Sequence, residues 1–282
     1  MSRRIRLLLT GITPSPSAQI YRLLRAEYPD SEIEAHVVTW AGMNGREFFE
    51  VFDFATIHQL DPAHFRPAID AAIGRFALKA TETVPINTVS MFCCWNEAAS
   101  LAEQGGADVV IKARVDNAIV PMQGGLGLFE PGDALRIPQG GNFRNGVGDH
   151  VCYGPAAAVA AYLRLFRHLP AYAAEGHVLH PERLLALHTG RVLDLPLERP
   201  PLTIFYRDGI YNGDLRWDGT ASMPSDLRLS LAAVIGIYRR RNVLPGRTRG
   251  MALRLAAARL LRALPPAPRS WDSLLRAYFP VK

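Results

Sequence analysis

The sequence predicts an α/β domain built on a parallel sheet, followed by a basic helical extension. Three observations support this prediction: an apolar run at residues 5–11 typical of a buried strand, a capped helical segment at 17–28, and a second strand at 32–40. A strand, helix and strand of these lengths open a nucleotide-binding fold, in which ligands lie beyond the carboxyl ends of the strands. Thr10 and Gly11, which end the first strand, are therefore candidate nucleotide-binding residues, although the loop has neither a Walker A nor a dinucleotide glycine motif.

The composition is that of an ordered globular protein. The 282 residues are 49% hydrophobic, 21% charged and 9% aromatic. Since no window of about 18 residues is uncharged and apolar, and no signal peptide is recognised, we expect a cytoplasmic protein without a membrane-spanning helix. The three cysteines, Cys93, Cys94 and Cys152, match neither a disulfide framework nor metal-ligand spacing.

The net charge of +6 is unevenly distributed along the chain. Residues 228–282 contain eleven Arg, one Lys and one Asp, a net charge of +11, whereas residues 1–227 contain 20 basic and 25 acidic residues, a net charge of −5. We therefore predict two units, an α/β domain over 1–227 and a basic tail over 228–282. Such a tail suits a phosphate-rich partner, either nucleic acid or an anionic membrane surface.

The remaining elements follow from local patterns. We predict a strand near 52–57, a proline-containing loop at 61–67, a helix at 90–104 that Gly105 and Gly106 end, and one strand over 107–120. The glycine-rich stretch 123–148 is too long for an ordinary connection and indicates an active-site loop. A short strand at 151–153, a helix at 155–167, a helix from about 181 to 188 and a final strand at 191–195 complete the domain.

Lys112, Arg114 and Asp116 occupy alternate positions of the strand over 107–120. Three ionisable side chains on one face of a buried strand are costly unless they are paired or face a cleft. Asp116 at the strand end suits a carboxylate that binds a divalent cation or a ribose, and Lys112 or Arg114 could supplement or replace the cation on a diphosphate. An internal salt bridge is the alternative.

Two further carboxylates are candidates for acid–base chemistry. Asp149 lies between the glycine-rich loop and a short strand, where it could act as a general base on a hydroxyl group, or simply belong to a turn. Glu182 begins a helix and is either a cleft residue and alternative base or a carboxylate that favours the helix dipole. Trp40, which ends the second strand, could stack on a base, with core packing as the alternative.

Together these segments resemble one protein family. The ordered series VVTWAG, IKARVDN, GDHVCYG and HPERLL is similar to the WavE-like family of lipopolysaccharide-core and capsule synthesis proteins, relatives of A-type glycosyltransferases. The resemblance covers about residues 5–200 and rests on Trp40, the K-x-R-x-D segment ending at Asp116, Asp149 before Tyr153, and Pro181 with Glu182. It implies a Rossmann-like A-type glycosyltransferase fold, a nucleotide-sugar donor with Mn or Mg as a possible cofactor, and a glycan or lipid-linked acceptor.

The leading hypothesis is therefore transfer of a sugar from a nucleotide-sugar donor to a surface polysaccharide or lipid-linked glycan. Lys112, Arg114 and Asp116 would lie at the donor diphosphate, and Asp149 or Glu182 would serve the acceptor. A catalytically silent scaffold of the same fold is the alternative. The tail, with apolar Leu253 and Leu260 opposite arginines, predicts peripheral binding to the inner face of the cytoplasmic membrane. Nucleic-acid binding is not expected, because few aromatic residues interleave the arginines.

Overall fold

The computed structural model describes residues 2–12, 18–44, 46–76, 84–115, 117–121, 132–138, 146–193, 197–198, 202–206, 209–212 and 215–217. The strands are β1 (Arg4–Thr10), β2 (Glu32–Trp40), β3 (Thr56–Leu60), β4 (Val109–Arg114), β5 (Ala118–Pro121), β6 (Leu135–Arg136), β7 (Val151–Gly154), β8 (Leu197–Glu198), β9 (Leu202–Tyr206), β10 (Gly209–Asn212) and β11 (Leu215–Trp217). The helices are α1 (Ala18–Glu27), α2 (Arg46–Val51), α3 (Pro62–Gly74), α4 (Pro85–Glu103), α5 (Ala156–Leu163), α6 (Leu165–Ala174) and α7 (Pro181–Val192).

The predicted α/β class is confirmed. Across the described ranges, seven strands form a mixed sheet in the order β3-β2-β1-β4-β7-β6-β8. The first four in that order are parallel to one another, and β7 is antiparallel to both β4 and β6. A smaller antiparallel sheet has the order β11-β10-β9-β5. The chain therefore passes from the large sheet to the small one between the end of β4 and the start of β5.

Alternation along the strands gives the large sheet two apolar faces. Ile5, Leu7 and Leu9 pack with α1 and with Phe48 and Phe52 on one face. On the other face Leu8 packs with a larger cluster that includes α4, α5, α6 and α7. Both faces are covered, which explains why the central strands read as continuous apolar runs in the sequence.

Arg6 joins the sheet to the end of α4. It lies on the α4 face of β1, and its guanidinium donates to the carbonyls of Leu101 (2.9 Å) and Gln104. It also pairs with Glu34 of β2 at 2.7 Å. The last carbonyls of a helix have no partners within the helix, so this arginine satisfies groups that would otherwise be buried without hydrogen bonds.

Several predicted elements are confirmed and others are wrong. The strands at 5–11, 32–40 and 151–153 match β1, β2 and β7, and the helix at 17–28 matches α1, although residue 17 lies outside the described ranges. The predicted loop at 61–67 is instead the start of α3. Asp61 caps this helix by accepting from the amide of Ala63 at 2.9 Å, and Pro62 stands at the first helical position, where a missing N–H costs nothing.

Four other boundaries differ from the prediction. The strand near 52–57 lies at Thr56–Leu60, because Phe52 packs into the core before the strand begins, and α4 starts at Pro85 rather than residue 90. The single helix predicted at 155–167 is two helices that meet at Arg164. The strand predicted at 191–195 is wrong at its start, because Arg191 and Val192 still belong to α7. Within the described residues no helix is long and apolar enough to cross a membrane.

His188 is a buried neutral histidine that joins α5, α6 and α7. Its Nε2 lies 2.8 Å from the carbonyl of Ala161 and its Nδ1 2.9 Å from the hydroxyl of Tyr172. Since a carbonyl only accepts, Nε2 carries the proton and Nδ1 accepts from the tyrosine. Burial, together with the neighbouring His168, lowers the pKa of His188 to about 4. The hydrogen bond to the Ala161 carbonyl acts in the opposite direction and raises the pKa, but by less.

We expect His188→Phe to destabilise the fold by about 2 kcal/mol at pH 8, because two buried polar groups lose their partner. In the wild type the unfolded chain binds the His188 proton from pH 6.5 downward, whereas the folded protein excludes it until about pH 4. The wild type therefore loses stability as the pH falls through this window, and the variant should lose less. Urea unfolding at pH 8, 6 and 5 measures both effects. His64→Phe, at an exposed site on α3, is the control; equal behaviour of the two variants would refute the assignment.

Candidate active site

The candidate site lies at the carboxyl ends of β1 and β4. These strands are neighbours, with Thr10 opposite Arg114, but the chain leaves β1 towards β2 and β3 on one side while β7 and β6 lie on the other. Such a reversal of strand order opens a crevice in which α/β proteins bind ligands. The two strand ends also touch: a Cβ on Gly11, which has φ +138°, would lie 2.6 Å from Cγ2 of Val115. Only glycine fits this approach without strain.

Arg114 and Asp149 form the central ion pair of the crevice. Nη1 of Arg114 donates to Oδ2 of Asp149 at 2.8 Å, and the Asp149 side chain is only 6% exposed. The internal salt bridge that the sequence left as the alternative is therefore present for Arg114, and the partner is Asp149. Nε2 of His150 lies 3.6 Å from the other carboxylate oxygen.

Lys112 lies beneath this pair and is fully enclosed. Its ammonium donates to the backbone carbonyl of Asp149 at 2.6 Å and sits 3.6 Å from the centre of the Trp95 ring. Cation–π contact and a charge-assisted hydrogen bond replace the water that a lysine loses on burial. The diphosphate role predicted for Lys112 stays a prediction, and this enclosure favours a supporting role for the ammonium.

The backbone of residues 147–150 is anchored on all sides. The anchoring hydrogen bonds run from the amide of Val147 to the carbonyl of Glu182 (2.9 Å), from the hydroxyl of Tyr162 to the carbonyl of Gly148 (3.0 Å), from the ammonium of Lys112 to the carbonyl of Asp149 (2.6 Å), and from the amide of Arg114 to the carbonyl of His150 (3.1 Å). A Cβ on Gly146 would lie 2.5 Å from Cβ of Glu182, so this segment also packs tightly on the first turn of α7. The fold thereby fixes Asp149 and brings it towards Glu182.

The two candidate acid–base residues, Asp149 and Glu182, have opposite electrostatic environments. Burial alone would raise the pKa of Asp149, but the charges of Arg114, His150 and Lys112 outweigh it and hold the pKa well below its ordinary value. Burial and, to a smaller extent, the negative charge of Asp149 raise the pKa of Glu182 to about 7. A backbone hydrogen bond and the charge of Arg114 lower this pKa, but they do not offset the increase. Oε2 of Glu182 lies 3.1 Å from Nδ1 of His180. Of the two, Glu182 is the group poised to exchange a proton near neutral pH.

The other predicted site residues fall in different places. Trp40 is buried and packs edge-on against Phe65 of α3 at 5.8 Å, in line with the core-packing alternative. Thr10 and Gly11 lie at the carboxyl end of β1 beside Arg114 and Val115, and their nucleotide-binding role stays a prediction. Asp116 lies outside the described residues, so its metal and donor roles stay predictions. The single strand predicted over 107–120 is wrong, because the chain turns after Val115 and β5 joins the other sheet.

The sequence analysis missed two polar side chains at this crevice. The hydroxyl of Thr10 and both amide atoms of Asn117 are buried and have no hydrogen-bond partner within the described part of the chain. Asn117 begins the passage from β4 to β5, and its own amide donates to the carbonyl of Arg114 at 3.2 Å. The available signal was a polar residue just past a β-branched strand. The sequence analysis assigned the functional role at this strand end to the adjacent Asp116 instead.

The described residues do not by themselves supply a metal centre. They contain no cluster of three or more His, Cys, Asp or Glu side chains arranged to hold a metal ion. At this crevice the Asp149 carboxylate is engaged by Arg114, and among the described residues the fully buried oxygens without a hydrogen-bond partner include those of the Thr10 and Asn117 side chains. We derive no chemical step through a metal.

Comparison with known proteins gives distant structural likenesses. No protein-family model matches the chain, and no curated protein matches it. The chain is similar to the apo crystal structure of mouse xyloside xylosyltransferase 1, with a TM-score of 0.40 and 11% identity over 71% of this chain and 86% of that one. It is also similar to an active-site mutant of LgtC, with a TM-score of 0.38 and 14% identity over 70% and 72% of the two chains. At this distance neither likeness carries an argument about function.

Glu182 should make stability depend on pH in a defined direction. Between pH 4.5 and pH 7 the unfolded chain releases the Glu182 proton while the folded protein retains it, so stability falls as the pH rises through this window. Glu182→Gln removes this loss, and relative to wild type it should gain up to about 3 kcal/mol between pH 5 and pH 8. Urea unfolding at the two pH values measures the difference. Glu50→Gln, at an exposed position of α2, is the control, and a pH-independent difference for Glu182→Gln would contradict the assignment.

Proposed function

We propose that the protein is a glycosyltransferase that moves a sugar from a nucleotide-sugar donor to a surface polysaccharide or lipid-linked glycan. The observation that carries the proposal is the carboxylate pair, Asp149 ionised beside Arg114 and Glu182 with its pKa raised to about 7, at the switch point of the sheet. The finer likeness to the WavE-like family belongs to this proposal. It is supported by the meeting of three separate motif segments, which contain Arg114, Asp149 and Glu182, around one crevice.

The proposed step uses few groups of the protein. The oxygen of an acceptor hydroxyl attacks the anomeric carbon of the donor sugar, while the bond from that carbon to the diphosphate oxygen breaks. The nucleoside diphosphate leaves with the bonding electrons, and the hydroxyl proton passes to the Glu182 carboxylate. A carboxylate with a pKa near 7 is half ionised at neutral pH and accepts a proton efficiently there.

Asp149 acts in this proposal mainly through other groups. Its charge keeps the Glu182 proton affinity high, and its ion pair orients Arg114 at the strand end beside Thr10, where the guanidinium charge would attract a donor diphosphate. The general-base role that the sequence suggests for Asp149 stays an alternative, which its low pKa disfavours. Asp116, at the same strand end, would contact the diphosphate or ribose. A bound Mn or Mg ion would supply positive charge to the diphosphate.

The unit that performs the reaction is residues 1–227, and the tail 228–282 is proposed to hold it on an anionic membrane face. The contrast in net charge between the two, −5 against +11, supports this division. Each well-placed cation contributes about 1 kcal/mol of attraction to an anionic lipid surface. The proposed location is accordingly peripheral, on the inner face of the cytoplasmic membrane.

The donor site is tested by binding and turnover in the same variants. A panel of UDP-, GDP- and CDP-sugars, with and without manganese, should raise the thermal midpoint of the wild type for at least one donor and show slow hydrolysis of it. Asp116→Ala should weaken binding of that donor in calorimetry by about tenfold or more, whereas Glu182→Gln should retain binding and lose hydrolysis at least about a hundredfold. Asp108→Asn, at an exposed site before β4, is the control.

Two results would overturn parts of this proposal. Unchanged donor binding by folded Asp116→Ala would remove that residue from the site. Absence of both binding and hydrolysis across the panel in the full chain would reject the enzyme and favour the scaffold interpretation.

The tail is tested by deletion after Leu227. The full chain should sediment with vesicles containing phosphatidylglycerol but not with pure phosphatidylcholine, and its binding should fall as salt rises from about 0.05 to 0.5 M, since exposed charges are screened. The truncated protein should stay in the supernatant in both cases. Equal sedimentation of the two proteins with anionic vesicles would reject the membrane role.

A further inference from the structure

Asn117 is a buried amide without partners at the place where the chain changes sheets. It follows the turn at the end of β4, immediately precedes β5, and is 0% exposed. Neither its Oδ1 nor its Nδ2 atom has a hydrogen-bond partner among the residues that the structure describes. Among the described residues it is the side chain in which a buried donor and a buried acceptor are both unpaired. Buried amides of folded proteins are nearly always hydrogen-bonded, so this position needs an explanation.

A second unpaired group lies at the adjoining strand end. The hydroxyl of Thr10 is buried with no partner in the described ranges, and Thr10 is opposite Arg114 in the register of β1 and β4. Asn117 is bound through its own amide to the carbonyl of that same Arg114. Arg114 and Asp149 are bonded to each other, whereas within the described residues the two neutral polar side chains have no hydrogen-bond partner. The fold thus satisfies the charges of the crevice internally and leaves its neutral polar groups for another partner.

The chemistry of these groups indicates what that partner is. An amide offers two donors and one acceptor, and a threonine hydroxyl offers one donor and acceptor lone pairs. A phosphate only accepts and would leave the amide oxygen unpaired, and a cation binds only oxygens and would leave the amide nitrogen unpaired. A sugar hydroxyl both donates and accepts, so sugar hydroxyls can satisfy the donors and acceptors of both Asn117 and Thr10.

We propose that Asn117, with Thr10, forms a subsite that binds the hydroxyl groups of a sugar of the nucleotide-sugar donor. This inference rests on the proposed function, and it adds to it a residue and the part of the donor that the residue recognises. Because Asn117 is fully enclosed, the donor has to displace the groups that cover it, and binding is coupled to a local conformational change. The unpaired atoms then lower the stability of the free protein, and the bound ligand supplies the missing hydrogen bonds.

The proposal makes stability and binding change in opposite directions. Asn117→Leu and Thr10→Val keep the side-chain volume nearly constant and remove polar atoms that are unpaired in the free protein. Each variant should therefore unfold at the same temperature as the wild type or a higher one. Each should also bind the donor about tenfold or more weakly, because hydroxyls of the bound sugar lose their partners. A structural role for either side chain would give the reverse pattern, lower stability with unchanged binding.

Thr39→Val is the matched control. Thr39 is equally buried near the end of the neighbouring strand β2, but its hydroxyl accepts from Nδ2 of Asn44 at 2.7 Å. Removing that hydroxyl leaves the Asn44 amide without its partner, so this variant should lose stability and retain donor binding.

Calorimetry and thermal unfolding of the full chain test the proposal. The probes are the UDP-, GDP- or CDP-sugar that stabilises the wild type most in the panel, the corresponding nucleoside diphosphate, and its 2′-deoxy form. If Asn117→Leu weakens the sugar nucleotide and the diphosphate equally and does not affect the 2′-deoxy form, the subsite binds the ribose. If only the sugar nucleotide is weakened, the subsite binds the transferred sugar.

The failure of this inference differs from the failure of the proposed function. If the wild type binds a donor and the variants bind it with dissociation constants within about twofold of the wild-type value, the subsite is overturned and the proposed glycosyltransferase function is not affected. An Asn117→Leu variant that does not fold, or that unfolds at a markedly lower temperature, would also overturn it, because the amide would then be paired in the free protein. Absence of wild-type binding to every probe would overturn both.

Discussion

The ion pair between Arg114 and Asp149 is the interaction on which the candidate site depends. Asp149 is almost completely buried, and an isolated carboxylate in that position would be neutral rather than charged. Arg114 at 2.8 Å, with Lys112 on the adjoining carbonyl and the Trp95 ring beneath Lys112, makes the charged form the stable one. Removing either cation would leave a buried charge without full compensation. This loss lowers the stability of the fold more than breaking an exposed ion pair would. The pair therefore fixes both the position and the charge of Asp149.

The charge on Asp149 has its consequence at Glu182. Two carboxylates in one low-dielectric crevice cannot both ionise readily, and the arginine determines which of them does. Asp149 takes the favourable partner, and Glu182, which begins α7 beside the anchored backbone of residue 147, is left with a raised pKa. One carboxylate is thus a permanent charge and the other a proton acceptor near neutral pH. The division of roles follows from the position of Arg114 on β4, not from any difference in the chemistry of the two acids.

The sequence predicted the central strands well because their signal is local. Runs of apolar residues bounded by turn residues identify β1 and β2 without knowledge of the partners. It also identified Asp149 and Glu182 separately, but their meeting depends on the hydrogen bond from Val147 to residue 182 and on Gly146, which are contacts between distant segments. The prolines at 62 and 67 misled the prediction of α3, because Pro62 takes the first helical position, where proline is tolerated, and Pro67 lies inside the helix although proline there removes a backbone hydrogen bond. The break between β4 and β5 carries no glycine or proline signal.

The contrast between Arg6 and Asn117 shows how the fold treats buried polar groups. Arg6 lies in the interior of the sheet and is paired with Glu34 and with two carbonyls at the end of α4. A buried guanidinium without these partners would be incompatible with a stable core. Asn117 is equally buried and has none, yet it lies at the switch point of the sheet rather than in the core. An unpaired group in the core would only reduce stability, whereas at the crevice its cost is recovered when a ligand supplies the missing hydrogen bonds. The location of the unpaired atoms, more than their number, is therefore what connects them to recognition.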